Sequence, residues 1–187
     1  MSNQILTRGH FPTHFALITL LFPCSAFADT GAEAFAHLGR LVGEWEAKTM
    51  RGSIIRVSYR AVAADSALVE TFTTASGRET LTIYHPDGPN LIATHYCAQG
   101  NQPRLRLEPA STSTTFQFAF YDVTNLADAN ALHLTRLRFQ LKDADHFDRT
   151  EVYAEGVKDD VTVFNFVRVP SNKDVQPQDA PRRPGPR

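Results

Sequence analysis

The sequence predicts an all-β protein: an antiparallel up-and-down barrel preceded by one short helix. Three observations lead there. Ten short stretches with β-compatible patterning follow one another from Gly43 onward, and turn-forming residues separate them. Helical periodicity occurs once, just ahead of the first stretch. Many short strands with no helices between them are what a barrel or sandwich requires.

In chain order, residues 1–28 read as a secretory signal. Arg8 supplies positive charge, Phe15-Ala-Leu-Ile-Thr-Leu-Leu-Phe22 a short apolar run, and Ala26-Phe27-Ala28 a small-x-small cleavage site. The apolar run is too short to span a bilayer, which takes about 20 residues. Pro23 before Cys24 fits poorly with a lipid-attachment box. The mature chain is expected to begin at Asp29, in the periplasm or outside the cell. It would then retain Cys97 as its sole cysteine and rely on a hydrophobic core rather than a disulfide.

A helix is expected over Ala32–Leu41. Thr30 and Glu33 suit a capping box, and Phe35, Leu38 and Leu41 recur on one face. The first strand opens at Gly43, where Trp45 and Ala47 alternate with Glu44, Glu46 and Lys48. Runs 54–62, 67–73, 79–85, 91–97, 104–108, 115–121, 132–142, 147–154 and 161–169 follow. Turn signals lie between them, among them Ser76-Gly77, Asp87-Gly88, Gly100-Asn101 and Glu155-Gly156. The barrel domain is therefore placed at 29–170. Residues 171–187 hold four prolines and three arginines and read as a disordered tail. A formal net charge of −1 argues against a nucleic-acid partner, and no transmembrane segment is expected.

Gly43-x-Trp45 at the first strand and Arg168 near the end of the last resemble the lipocalin and fatty-acid-binding (calycin-type) families. That resemblance implies a barrel closed between first and last strands, with Arg168 packed on the Trp45 indole as a structural clamp. Leu38-Gly-Arg-Leu-Val-Gly-Glu-Trp45, Ser66-Ala-Leu-Val-Glu70, Leu81-Thr-Ile-Tyr-His85 and the 95–104 segment are similar to secreted bacterial lipocalin-like proteins of unknown function. Nitrobindin-like haem proteins share the broad architecture and carry a glycine-rich signature after the tryptophan. Here Trp45 is followed by Glu-Ala-Lys, a departure from that signature, and no cofactor is expected.

Residues 94–106 concentrate the reactive side chains. If Ser76-Gly77 forms a two-residue turn, side-chain alternation puts Glu70, Glu79 and Tyr96 on the cavity face and His95 and Cys97 on the other. A loop setting Tyr96 opposite Arg104 would bring Arg104 and Arg106 to the carboxylates. A loop one residue different would turn Leu105 and Leu107 inward and the arginines to solvent. Glu70, Glu79, Tyr96 and Arg104 are thus the ligand-binding candidates, and no catalytic residue is singled out. His95 and Cys97 offer only two metal ligands, so no metal is expected. Phenylalanine-rich strands suit a small apolar or amphipathic ligand held in the barrel. An isomerase or hydrolase using the same cavity, and an interaction module without ligand, are the alternatives.

Overall fold

The computed structural model describes residues 31–170, so the expected signal, Cys24, Thr30 and the expected tail lie outside the described residues. Helix α1 spans Gly31–Leu38 and tightens into a 3-10 turn, Gly39–Leu41. Ten strands follow: β1 (Gly43–Lys48), β2 (Ile54–Val62), β3 (Ala67–Thr73), β4 (Glu79–Asp87), β5 (Asn90–Tyr96), β6 (Gln102–Leu107), β7 (Thr115–Thr124), β8 (His133–Leu141), β9 (His146–Glu155) and β10 (Lys158–Arg168). Each pairs antiparallel with the next, and β1 pairs with β10 to close the barrel. The closing ladder is short, pairing Trp45 with Arg168 and Glu46 with Val167.

The two ends of the barrel differ. At one end α1 lies across the opening and contributes Ala34 and Leu38 to the core, and the 3-10 turn adds Leu41, all essentially buried. The Gly31 amide donates to the Pro89 carbonyl at 3.0 Å, which ties the helix to the β4–β5 turn. The Trp45 indole donates to the Leu41 carbonyl at 2.7 Å and meets Phe147 edge-on at 4.7 Å. Above Trp45 lies Arg168, its guanidinium 4.0 Å from the ring centroid, directly across the β1–β10 ladder. Arg168 donates to the carbonyls of Val42, Arg40 and Ala144 at 2.9–3.0 Å. Gly43 makes room for this. Its φ of +129° suits glycine, and a Cβ there would lie 2.8 Å from Arg168 Nη1.

Below this clamp the interior is filled by rings. Phe116, Phe118, Phe139, Phe147, Phe166 and Tyr84 are buried, and Phe139 meets Tyr84 and Phe118 edge-on while Phe147 stacks on Phe166. Edge-to-face packing aligns the positive ring rim with a neighbour's negative face.

One turn changes the expected side-chain alternation. The β3–β4 connection is a three-residue loop, Ala75-Ser76-Gly77. The Thr74 amide donates to Arg78 and the Gly77 amide to Thr74, each at 2.9 Å. Gly77 has a φ of +79° and Ser76 is not left-handed. A two-residue type I′ turn would have required Ser76 at positive φ, so the chain takes the three-residue form with glycine last. The ladder then pairs Glu70 with Thr82 and Phe72 with Thr80, one residue away from the expected register.

Candidate functional site

The shift by one residue reverses the faces of β4 and β5. Thr80, Thr82, Tyr84, Ala93 and His95 point inward with Leu68, Glu70 and Phe72. Glu79 and Tyr96, expected in the cavity, lie on the outer surface beside Leu81, and Tyr96 is 45% exposed. Arg104 and Arg106 share the face of Thr94, which is the outer one, while Leu105 is fully buried. Arg104 forks onto Asp122, and Arg106 lies 4.0 Å over the Tyr121 ring. Of the four proposed ligand-binding residues, only Glu70 occupies the interior. His95, expected outside, is inside.

Glu70 is the centre of a buried polar network. Its Oε2 accepts from the Tyr84 hydroxyl at 2.6 Å and its Oε1 from Thr82 at 3.1 Å. Arg149, from β9, places Nη1 2.7 Å from Oε1, with neither side chain exposed. Arg149 also reaches toward the Tyr59 hydroxyl at 3.4 Å and lies 5.0 Å from the Phe72 ring centroid. Its Nη2 sits 2.8 Å from Glu151 Oε1. That pair lacks hydrogen-bond alignment, and Nη2 and Nε both go without a hydrogen-bond partner. The contact is therefore a coulombic one. A buried cation left this poorly satisfied is costly, and such groups in native proteins call for a functional explanation.

Charge states follow from the packing. Burial opposes the Arg149 guanidinium, but Glu70 and then Glu151 outweigh it and hold it above its ordinary range. Burial pushes the Glu151 carboxyl up, and Arg149 only partly offsets this. Burial first, and Glu70 second, raise the Tyr59 and Tyr84 hydroxyls well above their ordinary values. Burial lowers His95 to about 4, so its imidazole is neutral at pH 7. Tyr153 is raised by burial and then by Glu151.

A directed chain of hydrogen bonds links the network to the barrel mouth. Thr82 has one proton, and Glu70 Oε1 can only accept it, so His95 Nδ1 carries the proton it shares with Thr82 at 3.0 Å. His95 Nε2 is then bare and accepts from the Tyr153 hydroxyl at 3.2 Å. Tyr153 and Glu151 line a cavity of about 300 Å³ at the end opposite α1. Its apolar walls are Ile55, Phe72, Leu132 and Phe164, and Arg78 and Asp160 stand at its exposed rim. Cys97 lines it too, half-buried and free. A larger groove of about 680 Å³ runs outside the β1–β10 seam. Its cation, Arg168, is already committed to three carbonyls, so the buried chemistry belongs to the smaller cavity.

Arg149, Glu151 and Tyr153 were missed because charged residues alternating along a strand normally face water. Phe147, on the same alternation, was the signal that this side of β9 faces inward. Among the described residues no three His, Cys, Asp or Glu side chains gather as a metal site would require. No helix among them is long and apolar enough to cross a membrane.

Fold and site together define a closed ten-stranded antiparallel barrel, plugged at one end and acidic and tyrosine-lined at the other. No family model matches the chain, and no curated protein sequence matches it. Among solved structures it is similar to the crystal structure of Rv2717c from M. tuberculosis, at 16% identity and a TM-score of 0.49. The match covers 73% of this chain and 98% of that one.

Proposed function

We propose that the protein is an exported, lipocalin-like barrel that holds a small, mostly apolar molecule in its open mouth. The observation that carries this reading is the cavity of about 300 Å³. That size is at the lower end for small-molecule sites, and apolar walls around a few polar groups are their usual composition. Burial moves His95 down and Tyr153 up, away from proton exchange at neutral pH, but moves the Glu151 carboxyl up toward it. The binding reading therefore rests on the cavity and not on the charge shifts.

The full chain, exported and recovered from a bacterial periplasm, is the material for the test. Native mass spectrometry is expected to show a mature chain starting at Asp29 that carries a small bound mass. Thr80→Trp, which fills the cavity, should lose that mass. A bare chain from both proteins would contradict the reading.

The exposed row Val161, Val163 and Val167 on the outer face of β10 favours, as a second reading, a module that docks against another protein. A monomer at high concentration that captures no partner would remove it.

A further inference from the structure

The chemistry of the mouth narrows the class of ligand, given the binding reading above. Two carboxylates, Glu70 and Glu151, share one guanidinium, Arg149, and all three side chains are buried or nearly so. Glu70 uses both oxygens, and its Oε1 takes the closest Arg149 contact. Glu151 Oε1 has the misaligned Arg149 contact, and no hydrogen bond joins the Glu151 carboxylate to a described residue. The side chain of Glu151 is 12% exposed, and it lines the cavity. The interior thus holds an acceptor facing the cavity and one more acid than base.

Tyr153 adds a second acceptor for an independent reason. The proton order of the chain Thr82–His95–Tyr153 commits the phenolic hydrogen to His95 Nε2. What the Tyr153 oxygen can still offer a molecule in the cavity is a lone pair. The opposing cation, Arg78, stands at the exposed rim just after the three-residue loop. Water screens a rim charge, while a charge sheltered by low-dielectric walls acts at much greater strength.

We propose that the mouth selects molecules joining an apolar body to a protonated amine, the ammonium donating to Glu151 Oε2 and to the Tyr153 oxygen. The apolar body lies against Phe72, Phe164, Leu132 and Ile55. The ammonium balances the surplus buried carboxylate, and the Phe72 and Phe164 ring faces favour a cation nearby.

Calorimetric titration with octylammonium, octanol and octanoate tests this on the full mature chain. Their tails match and their heads differ only in charge and donors. Octylammonium is expected to bind at least about tenfold tighter than octanoate, the size of one charge-assisted hydrogen bond. Glu151→Gln should remove about that factor for octylammonium and weaken octanol by less, because only the ammonium loses a charge-to-charge contact. Tyr153→Phe should weaken octylammonium by a smaller factor. Octanoate binding as tightly as octylammonium would overturn the proposal, and that comparison needs only the unmutated protein. An unchanged octylammonium affinity in a folded Glu151→Gln protein would overturn it as well. Failure of all three ligands would instead remove the cavity reading on which it rests.

Discussion

Two arginines lie over aromatic rings in this barrel, one at the plugged end and one beneath the open mouth, and they are held in different ways. Arg168 covers Trp45 and spends its donors on three backbone carbonyls. Arg149 lies between Phe72 and Phe139, pairs with two carboxylates and leaves two nitrogens without a hydrogen bond. The first arrangement is satisfied and fixes the closure of the barrel. The second keeps charge and hydrogen-bonding capacity in reserve next to a cavity. Local consistency is what a structural clamp needs, and its absence marks the end of the barrel where function is expected.

Breaking the reserve should cost most. Arg149→Met strands Glu70 and Glu151 without a counter-charge, and urea unfolding is expected to show a loss of about 3–5 kcal/mol. Adding Glu70→Gln should restore much of it, because the pair rather than the arginine sets the cost. A single variant as stable as the parent would mean that the network is not electrostatically coupled.

Acidification probes the same end. His95 has a folded value of about 4 against an ordinary 6.5, so the unfolded chain binds a proton that the folded one refuses between those limits. Stability should be complete above about pH 6.5 and fall as pH drops toward 4, by at most about 3 kcal/mol from this group. Glu151 acts in the opposite sense. Its raised carboxyl lets the folded protein take up a proton first, a contribution present at low pH and lost as pH rises through the folded value. The difference between the parent and His95→Gln isolates the histidine. The variant's profile should lack the loss between 6.5 and 4, and superimposable profiles would refute the assignment.

At the plugged end, Gly43→Ala forces a Cβ against Arg168 Nη1 in a backbone conformation that alanine rarely adopts. A cost of about 1–3 kcal/mol is expected from thermal or urea unfolding, with ligand uptake at the mouth unchanged. Uptake lost together with stability would mean that the two ends are not independent. The smallest effect belongs to the outer face. Tyr96→Ala and Arg104→Ala should leave both ligand uptake and unfolding midpoints within error of the parent.

The strand pattern was readable because period-two alternation and turn residues are local, so each of the ten strands overlaps its expected run, with ends displaced by up to three residues. The Gly43–Trp45–Arg168 arrangement was readable through its resemblance to known barrels. The site was not, and one turn explains much of the difference. Ser76-Gly77 looks like a two-residue turn, but serine would have to adopt positive φ, and the added Ala75 reverses every side chain on the next two strands. The β4–β5 turn preserved the relative alternation, so Tyr84 and His95 stayed together on one face and Glu79 and Tyr96 on the other. The error lay in which face was inside. Arg149 and Glu151 were hidden for another reason. Nothing in the pattern of one strand shows that its charges will find partners on strands distant in sequence, such as Glu70 on β3.

The difference between the two ends is tested most directly by mapping amide chemical shifts of the protein while octanol is added. The account predicts perturbations gathered at residues 72–80, 97–99, 132 and 151–164, around the open mouth, with the signals of Trp45 and Arg168 unmoved. Shifts centred on Trp45 and Arg168, or scattered evenly over the barrel, would contradict it.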